Sequence, residues 1–299
     1  MGTTGSRLAH LQLTIVGLGL MGGSLARALR GKCAGITAVD SDAQTRREGL
    51  QRGVVDYATE SLADGVARAD ILVLATPVRV ILELLAQLPQ LPPRSDGALP
   101  VLDLGSTKAV ITTAMATLPD QFNGIGGHPM CGRETGGLAH ADAALYQQAI
   151  FVLTPLPDTT PATLAVAREI ISAAGARPLQ MEAARHDRMV ALTSHLPYLL
   201  ACSLVAAVDE CGNDDPAVWD LVSTGFRDTT RVAASDVRML SDILYTNREA
   251  VKAALGQQRA SLAALEAALD GDALTLQSTL SAIRAARGRH FPTAAMGKE

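Results

Sequence analysis

Apolar residues arrive in short blocks through the first 180 positions. Residues 13–16, 35–39, 71–75, 101–104, 124–127, 150–153 and 177–180 read as strands. Between them, apolar residues recur at helical spacing over 22–30, 43–52, 78–88, 108–118 and 161–174. Residues 91–100 form a polar, proline-bearing loop. Strand alternating with helix predicts an α/β fold built on a doubly wound, mostly parallel sheet. From about Glu182 the strand signal vanishes. Helical spacing then continues to about Arg287, with breaks at 212–216 and near Gly225. Two domains are expected: residues 1–180 with the sheet, and an all-helical region over 181–299. Ala and Leu occupy so many faces of the later helices that a second subunit is expected to cover them, as a homodimer. The apolar run 196–208 is 13 residues with Pro197 and Ser203 inside it. That is too short to span a bilayer and predicts a buried helix.

The first strand runs into Gly17-x-Gly19-x-x-Gly22, a helix follows, and the second strand ends on Asp40, 18 residues after Gly22. Strand, glycine turn, helix and a following acid together make a dinucleotide-binding unit of the Rossmann type. Gly17 suits the tight turn, and Gly19 lets backbone approach a pyrophosphate. Gly22 permits close helix–strand packing. The helix start, with Leu20 and Met21, offers free N–H donors. A carboxylate at Asp40 can accept both ribose hydroxyls of NAD and would repel a 2′-phosphate. Ser41 and Asp42 supply no arginine to hold such a phosphate, so NAD is favoured over NADP. The competing reading makes Asp40 only a cap for the helix near Ala43.

Bulk properties narrow the class. With 48% hydrophobic and 19% charged residues over 299 positions, the chain can build two packed domains and disorder is not expected. Net charge is −4 without a basic run, which argues against a nucleic-acid surface. Arg284, Arg287 and Arg289 read as a solvated helix end. Cys33, Cys131, Cys202 and Cys211 form no C-x-x-C pair and read as reduced thiols. No metal is expected. Residues 1–10 carry no apolar signal core, so the cytoplasm is the expected compartment and no membrane partner is implied. Because the last helical stretch ends shortly before Glu299, no appended regulatory domain is expected.

Ligands collect at strand ends in this architecture. The third predicted strand ends in Thr76-Pro77, the fourth in Gly105-Ser106-Thr107-Lys108, and the fifth in His128-Pro129-Met130-Cys131-Gly132-Arg133-Glu134. Ser106 and Thr107 could instead cap the next helix, and Lys108 reads as solvated rather than catalytic. A glycine-flanked histidine at a strand end is a poor packing residue, so His128 is the leading candidate for chemistry. In the helical half, His195 and Pro197 interrupt an apolar helix without a packing gain. The alternative for His195 is a buried ring bonded to backbone. Arg231 suits bidentate capture of a substrate carboxylate; its alternative is a surface or interface ion pair.

GLGLMGGSLA, DLGSTK, GGHPMCGRE, TSHLPY and GFRDTTR occur here in that order. Over residues 11 to 285 the chain thereby resembles the prephenate dehydrogenase family, which includes arogenate and cyclohexadienyl dehydrogenases of tyrosine biosynthesis. GGHP and SHLP are the discriminating segments. The resemblance implies that His128 bonds the substrate's ring hydroxyl as catalytic base, and that Ser106 bonds the same hydroxyl or the histidine. It implies that His195 lies near nicotinamide and substrate, that Arg231 binds a substrate carboxylate, and that Glu134 helps close the pocket. Two positions depart from the family pattern. Tyr198 stands where prephenate-using members often have a second histidine, and Leu240 where some relatives have tryptophan. Tyr198 can still donate a hydrogen bond to substrate but cannot carry positive charge near neutral pH. The implied reaction is NAD-dependent oxidative decarboxylation of prephenate, with arogenate or dual specificity as the alternative. Hydroxyacid or imine reductases share the nucleotide half. They do not explain GGHP with SHLP, and residues 182–211 lack the lysine that hydroxyacid chemistry would require. A non-catalytic NAD sensor is the other reading.

Overall fold

The computed structural model describes residues 7–94, 97–133 and 135–291. The elements run β1 (Gln12–Val16), α1 (Leu20–Leu29), β2 (Gly35–Val39), α2 (Ala43–Gln51), β3 (Tyr57–Thr59), α3 (Leu62–Ala67), β4 (Ile71–Leu74), α4 (Val78–Gln87), β5 (Leu99–Asp103), α5 (Ala109–Met115), β6 (Phe122–Pro129), β7 (Ile150–Pro155), α6 (Pro161–Ala173) and β8 (Arg177–Gln180). Helices follow: α7 (Ala183–Val190), a π-helical turn (Ala191–His195), α8 (Leu196–Asp214), α9 (Thr224–Thr230), α10 (Val237–Thr246), α11 (Arg248–Asp270) and α12 (Ala273–His290).

The strands form one sheet in the order β3-β2-β1-β4-β5-β6-β7-β8. Every pairing is parallel except β6 with β7, where His128 lies opposite Val152. Chain direction across the sheet reverses between β1 and β4, so the crevice at their carboxyl ends is the switch point where ligands bind in such folds. Alternate strand residues sort to opposite faces. Leu13, Ile15, Ile71 and Val73 join a core with α1 and α6. Val16, Leu72, Leu74 and Val101 join a second core with α4 and α5. Burial on both faces is why these strands read as continuous apolar runs.

The doubly wound sheet matches the expectation, as does the change to helices after β8. Three details do not. β3 and α3 leave no clear pattern because Tyr57-Ala58-Thr59 has no buried position and α3 is a six-residue helix around Gly65, whose added Cβ would meet Val39 at 2.2 Å. Gly225 lies inside α9 rather than at a break; the chain turns at Val222 and Ser223. The run 196–208 is not a separate buried helix. α7, the π turn and α8 form one helical rod from Ala183 to Asp214, long and apolar enough to cross a membrane by length and composition alone. Only 28% of its most apolar stretch is buried by this chain, and α8 buries just Leu196 and Ala201. Among the described residues, 249–291 form a compact unit of their own, in which α12 has no buried residue.

Candidate active site

The glycine turn is built as its spacing requires. Gly17 holds φ +93°, a value that strains any residue with a side chain, and its N–H bonds the Val39 carbonyl at 2.8 Å. A Cβ on Gly22 would sit 2.0 Å from the Gly17 carbonyl. A Cβ on Gly19 would meet no atom within 4 Å, which leaves open space on the side where a pyrophosphate approaches. Gly19 caps α1 without a side-chain bond, so the N–H groups of the first turn, around Leu20 and Met21, are not taken by a cap. Met21 is further held by its carbonyl, which accepts from the buried Tyr146 hydroxyl at 2.9 Å.

Asp40 is half-buried at the end of β2. Its carboxylate accepts from the Leu18 N–H at 2.8 Å and the Asp42 N–H at 2.9 Å, tying β2 to the glycine turn. It does not cap α2. Asp42 does, accepting from Gln44 and Thr45. Arg46, the nearest guanidinium on α2, is spent on the Asp40 and Ser41 carbonyls and on Glu60. Across the switch point, the Thr76 hydroxyl is buried without a partner, and Pro77 opens α4. An orphaned buried hydroxyl, open space at Gly19 and an uncapped helix start together fit a bound dinucleotide.

A polar cluster lies at the carboxyl ends of β5 and β6. Lys108, expected in solvent, is fully buried. Its ammonium bonds Asp103 and the Gly127 carbonyl, while Asp103 also accepts the Gly127 N–H at 3.0 Å and the Gly105 N–H at 2.8 Å. Burial pushes Asp103 up and Lys108 down, and their mutual attraction opposes both shifts. The pair grips both polar groups of Gly127 and so fixes the backbone that presents His128. An apolar-strand aspartate followed five residues later by a lysine was the available signal, since a buried charge needs a partner.

His128 is half-buried on β6. Its Nδ1 lies 2.8 Å from His186 Nε2, with the rings edge to face at 76°. The other His186 nitrogen, Nδ1, lies 2.8 Å from Asp187 Oδ1. Asp187 then accepts the backbone N–H groups of Lys108 at 2.8 Å and Ala109 at 2.9 Å. A carboxylate from α7 therefore caps α5, which has no cap of its own. Ser106 is half-buried in the bend before that cap, and Thr107 is occupied by Thr246 at 3.0 Å, so neither caps α5. Burial raises the Asp187 carboxyl, but His186 and the two backbone donors outweigh it and hold it below its ordinary value. Burial, with the nearby charges of Lys108, His186 and His195, holds His128 well below 6.5.

His195 ends the π-helical turn and is 2% exposed. Such turns widen a helix to aim a side chain and recur at functional sites. Its Nδ1 lies 3.2 Å from Asn247 Nδ2, which also donates to the Asp187 carbonyl at 2.8 Å. The ring is thus bonded to a side-chain amide rather than to backbone. Burial lowers it to about 4, against the opposing pull of Asp187.

The structure thus gathers His128 and His195 around Asp187 and sets Ser106 beside Asp187's backbone partners. His186, Asp187, Lys108, Asp103 and Asn247 belong to the cluster, and sequence reasoning does not find them. His186 and Asp187 sit in Ala183–Val190, a charged stretch that reads as a solvated helix face. Arg231 lies on an exposed turn after α9, and Tyr198 is half-buried on α8. No described hydrogen bond joins either to the histidines. Glu134 lies outside the described residues. Among the described residues no group of three His, Cys, Asp or Glu could hold a metal.

Comparison with known proteins completes the picture. Residues 25–180 match the model for the prephenate dehydrogenase nucleotide-binding domain, and residues 182–281 that for the prephenate dehydrogenase dimerization domain. A prephenate dehydrogenase of Bacillus subtilis is 33% identical over 242 residues, covering 80% of this chain; the chain spans 65% of that relative's length. A cyclohexadienyl dehydrogenase of Zymomonas mobilis is 33% identical over 269 residues, covering 88% of this chain and 90% of its own. The crystal structure of the Aquifex aeolicus prephenate dehydrogenase, in complex with hydroxyphenyl propionate and NAD+, superposes with TM-score 0.88 at 28% identity. It covers 95% of this chain and 100% of its own. With both domain models matched in sequence order along this sheet and helical rod, the chain belongs to the prephenate dehydrogenase family.

Proposed function

We propose that this chain is an NAD-dependent dehydrogenase that oxidatively decarboxylates prephenate, giving 4-hydroxyphenylpyruvate in tyrosine biosynthesis. The observation that carries this reading is a strand-end histidine, His128, with its Nδ1 2.8 Å from His186 Nε2, on the same sheet edge as a dinucleotide cradle. Bound NAD supplies the hydride acceptor for C4 of the ring. His128 accepts the proton of the C4 hydroxyl as that carbon becomes a ketone. The ring carboxylate leaves as carbon dioxide, its bonding electrons pass through the ring to the C4 oxygen, and that oxygen takes the proton back from His128 as the ring becomes aromatic. Ser106 and His195 orient the hydroxyl, while Arg231, Tyr198 and Glu134 hold the acid's remaining polar groups. Gly17, Gly19, Leu20, Met21, Gly22, Asp40, Thr76 and Pro77 line the cofactor's path. Orientation and proton acceptance are the protein's contribution.

Arogenate is the second substrate, favoured by Tyr198: a neutral phenol does not require the keto side chain. We assign dinucleotide binding to residues 1–180, and substrate binding and dimerisation to 181–299. A second copy covers the apolar rod, and four unpaired cysteines suit the reducing cytoplasm. NAD reduction measured with prephenate and arogenate side by side tests the reaction. Turnover of neither would refute it. Gel filtration at micromolar concentration tests the dimer; a monomer mass would refute that.

A further inference from the structure

The reaction asks opposite things of two neutral imidazoles. The base must show a bare nitrogen to the substrate, and a neighbouring ring that orients the substrate's oxygen must show an N–H. A neutral histidine has one of each, and the bond made at its other nitrogen decides which faces outward. His128 makes that other bond with His186 and His195 makes it with Asn247, and both of these partners are bonded to Asp187. Asp187 Oδ1 is a carboxylate oxygen and only accepts, so the proton in the 2.8 Å contact with His186 belongs to His186 Nδ1. The Asp187 backbone carbonyl likewise only accepts, so the atom 2.8 Å from it must be the Asn247 amide nitrogen. That nitrogen's second hydrogen is left for His195 Nδ1 at 3.2 Å. His186, Asp187 and Asn247 are at most 6% exposed, so water does not compete for these bonds.

We infer that Asp187 is a hub that sets the two histidines in opposite tautomers. Through His186 it makes His128 an Nδ1–H ring with a bare Nε2, and through Asn247 it makes His195 an Nε2–H ring. His186, Asp187 and Asn247 touch neither substrate nor cofactor; they are positioning residues. The inference rests on the reading of His128 as the base, which needs an unprotonated Nε2. The hub also ties the tautomers to the fold, because the same Asp187 carboxylate caps α5 and so locates the loop that carries Ser106. This tuning does not come from substrate binding; it is preset by packing α7 onto α5.

The test is an imidazole-nitrogen NMR spectrum of histidine-labelled protein at pH 7, with rings assigned through His128→Asn and His195→Asn. The expected pattern is an Nδ1–H His128 beside an Nε2–H His195. His128 found with its proton on Nε2 would overturn the hub, whatever the activity. In Asp187→Asn the amide can donate to His186, which then donates to His128. The expected result is a His128 switched to the Nε2–H form and kcat reduced about a hundredfold or more, with NAD affinity retained. A folded Asp187→Asn with unchanged tautomers and turnover would also overturn it. The base reading fails separately: it falls if His128→Asn turns over normally while wild-type His128 still shows Nδ1–H.

Discussion

The sheet and the helical rod treat their apolar residues in opposite ways. In β1, β4 and β5 nearly every side chain is buried by elements of the same chain, and even the charged Lys108 and Asp103 find each other inside. The rod from Ala183 to Asp214 carries a stretch of mean hydropathy 1.6, yet this chain buries only 28% of that stretch. Its buried polar groups sit at one end, where His186 meets His128 on β6, Asp187 meets the start of α5 and His195 meets Asn247. β1, β4 and β5 are thus covered by their own chain, whereas the rod is covered mainly at the end that bears those polar groups. The uncovered stretch lies within residues 182–281, which match the dimerization-domain model.

The sharpest way to break this contrast is where His186 meets His128. His128→Asn is expected to lower kcat about 10²- to 10⁴-fold with the NAD dissociation constant retained, the usual range for losing a general base. Near-normal kcat would move the chemistry elsewhere. Lys108→Met probes the self-sufficiency of the sheet. Leaving Asp103 buried and alone costs about 3–5 kcal/mol, read as a lower denaturant midpoint at unchanged slope. A loss under about 1 kcal/mol would mean that Asp103 does not depend on that pairing.

His195 sharpens the comparison on the rod side. Unfolded, it protonates near 6.5; folded, only near about 4. The unfolded chain therefore binds the proton first, and stability present above pH 6.5 falls as the pH drops through that window. The His195 share is on the order of 3 kcal/mol. His195→Gln should flatten that slope, and identical pH profiles would refute the assignment. His128 is lowered in the same direction, so the acid limb of kcat/KM is expected well below pH 6.5. Smallest is Arg231→Ala, expected to raise KM for the acid substrate by removing a charged contact worth about 1.5–3 kcal/mol. An unchanged KM would make Arg231 structural.

The same contrast explains what the sequence reveals. Strands buried on both faces announce themselves as apolar runs, and the glycine turn carries its own spacing. β3 has no buried position to mark it, and the antiparallel entry of β7 is invisible because pairing direction leaves no trace in composition. His128 stands out among glycines. His186 and Asp187 do not: AARHDRMV looks solvated, and only a partner 58 residues earlier, on β6, makes the histidine informative. Lys108 reads as solvated for the same reason, because its burial depends on Asp103 rather than on its own type.

One structural detail constrains how this molecule can be dissected. The carboxylate that closes the amino end of α5 comes from α7, 79 residues further along. A truncation ending at residue 180 would retain the whole sheet and the glycine turn, but it would leave α5 frayed at its start and His128 without a neighbour at Nδ1. Such a fragment would be a poor surrogate for the intact chain.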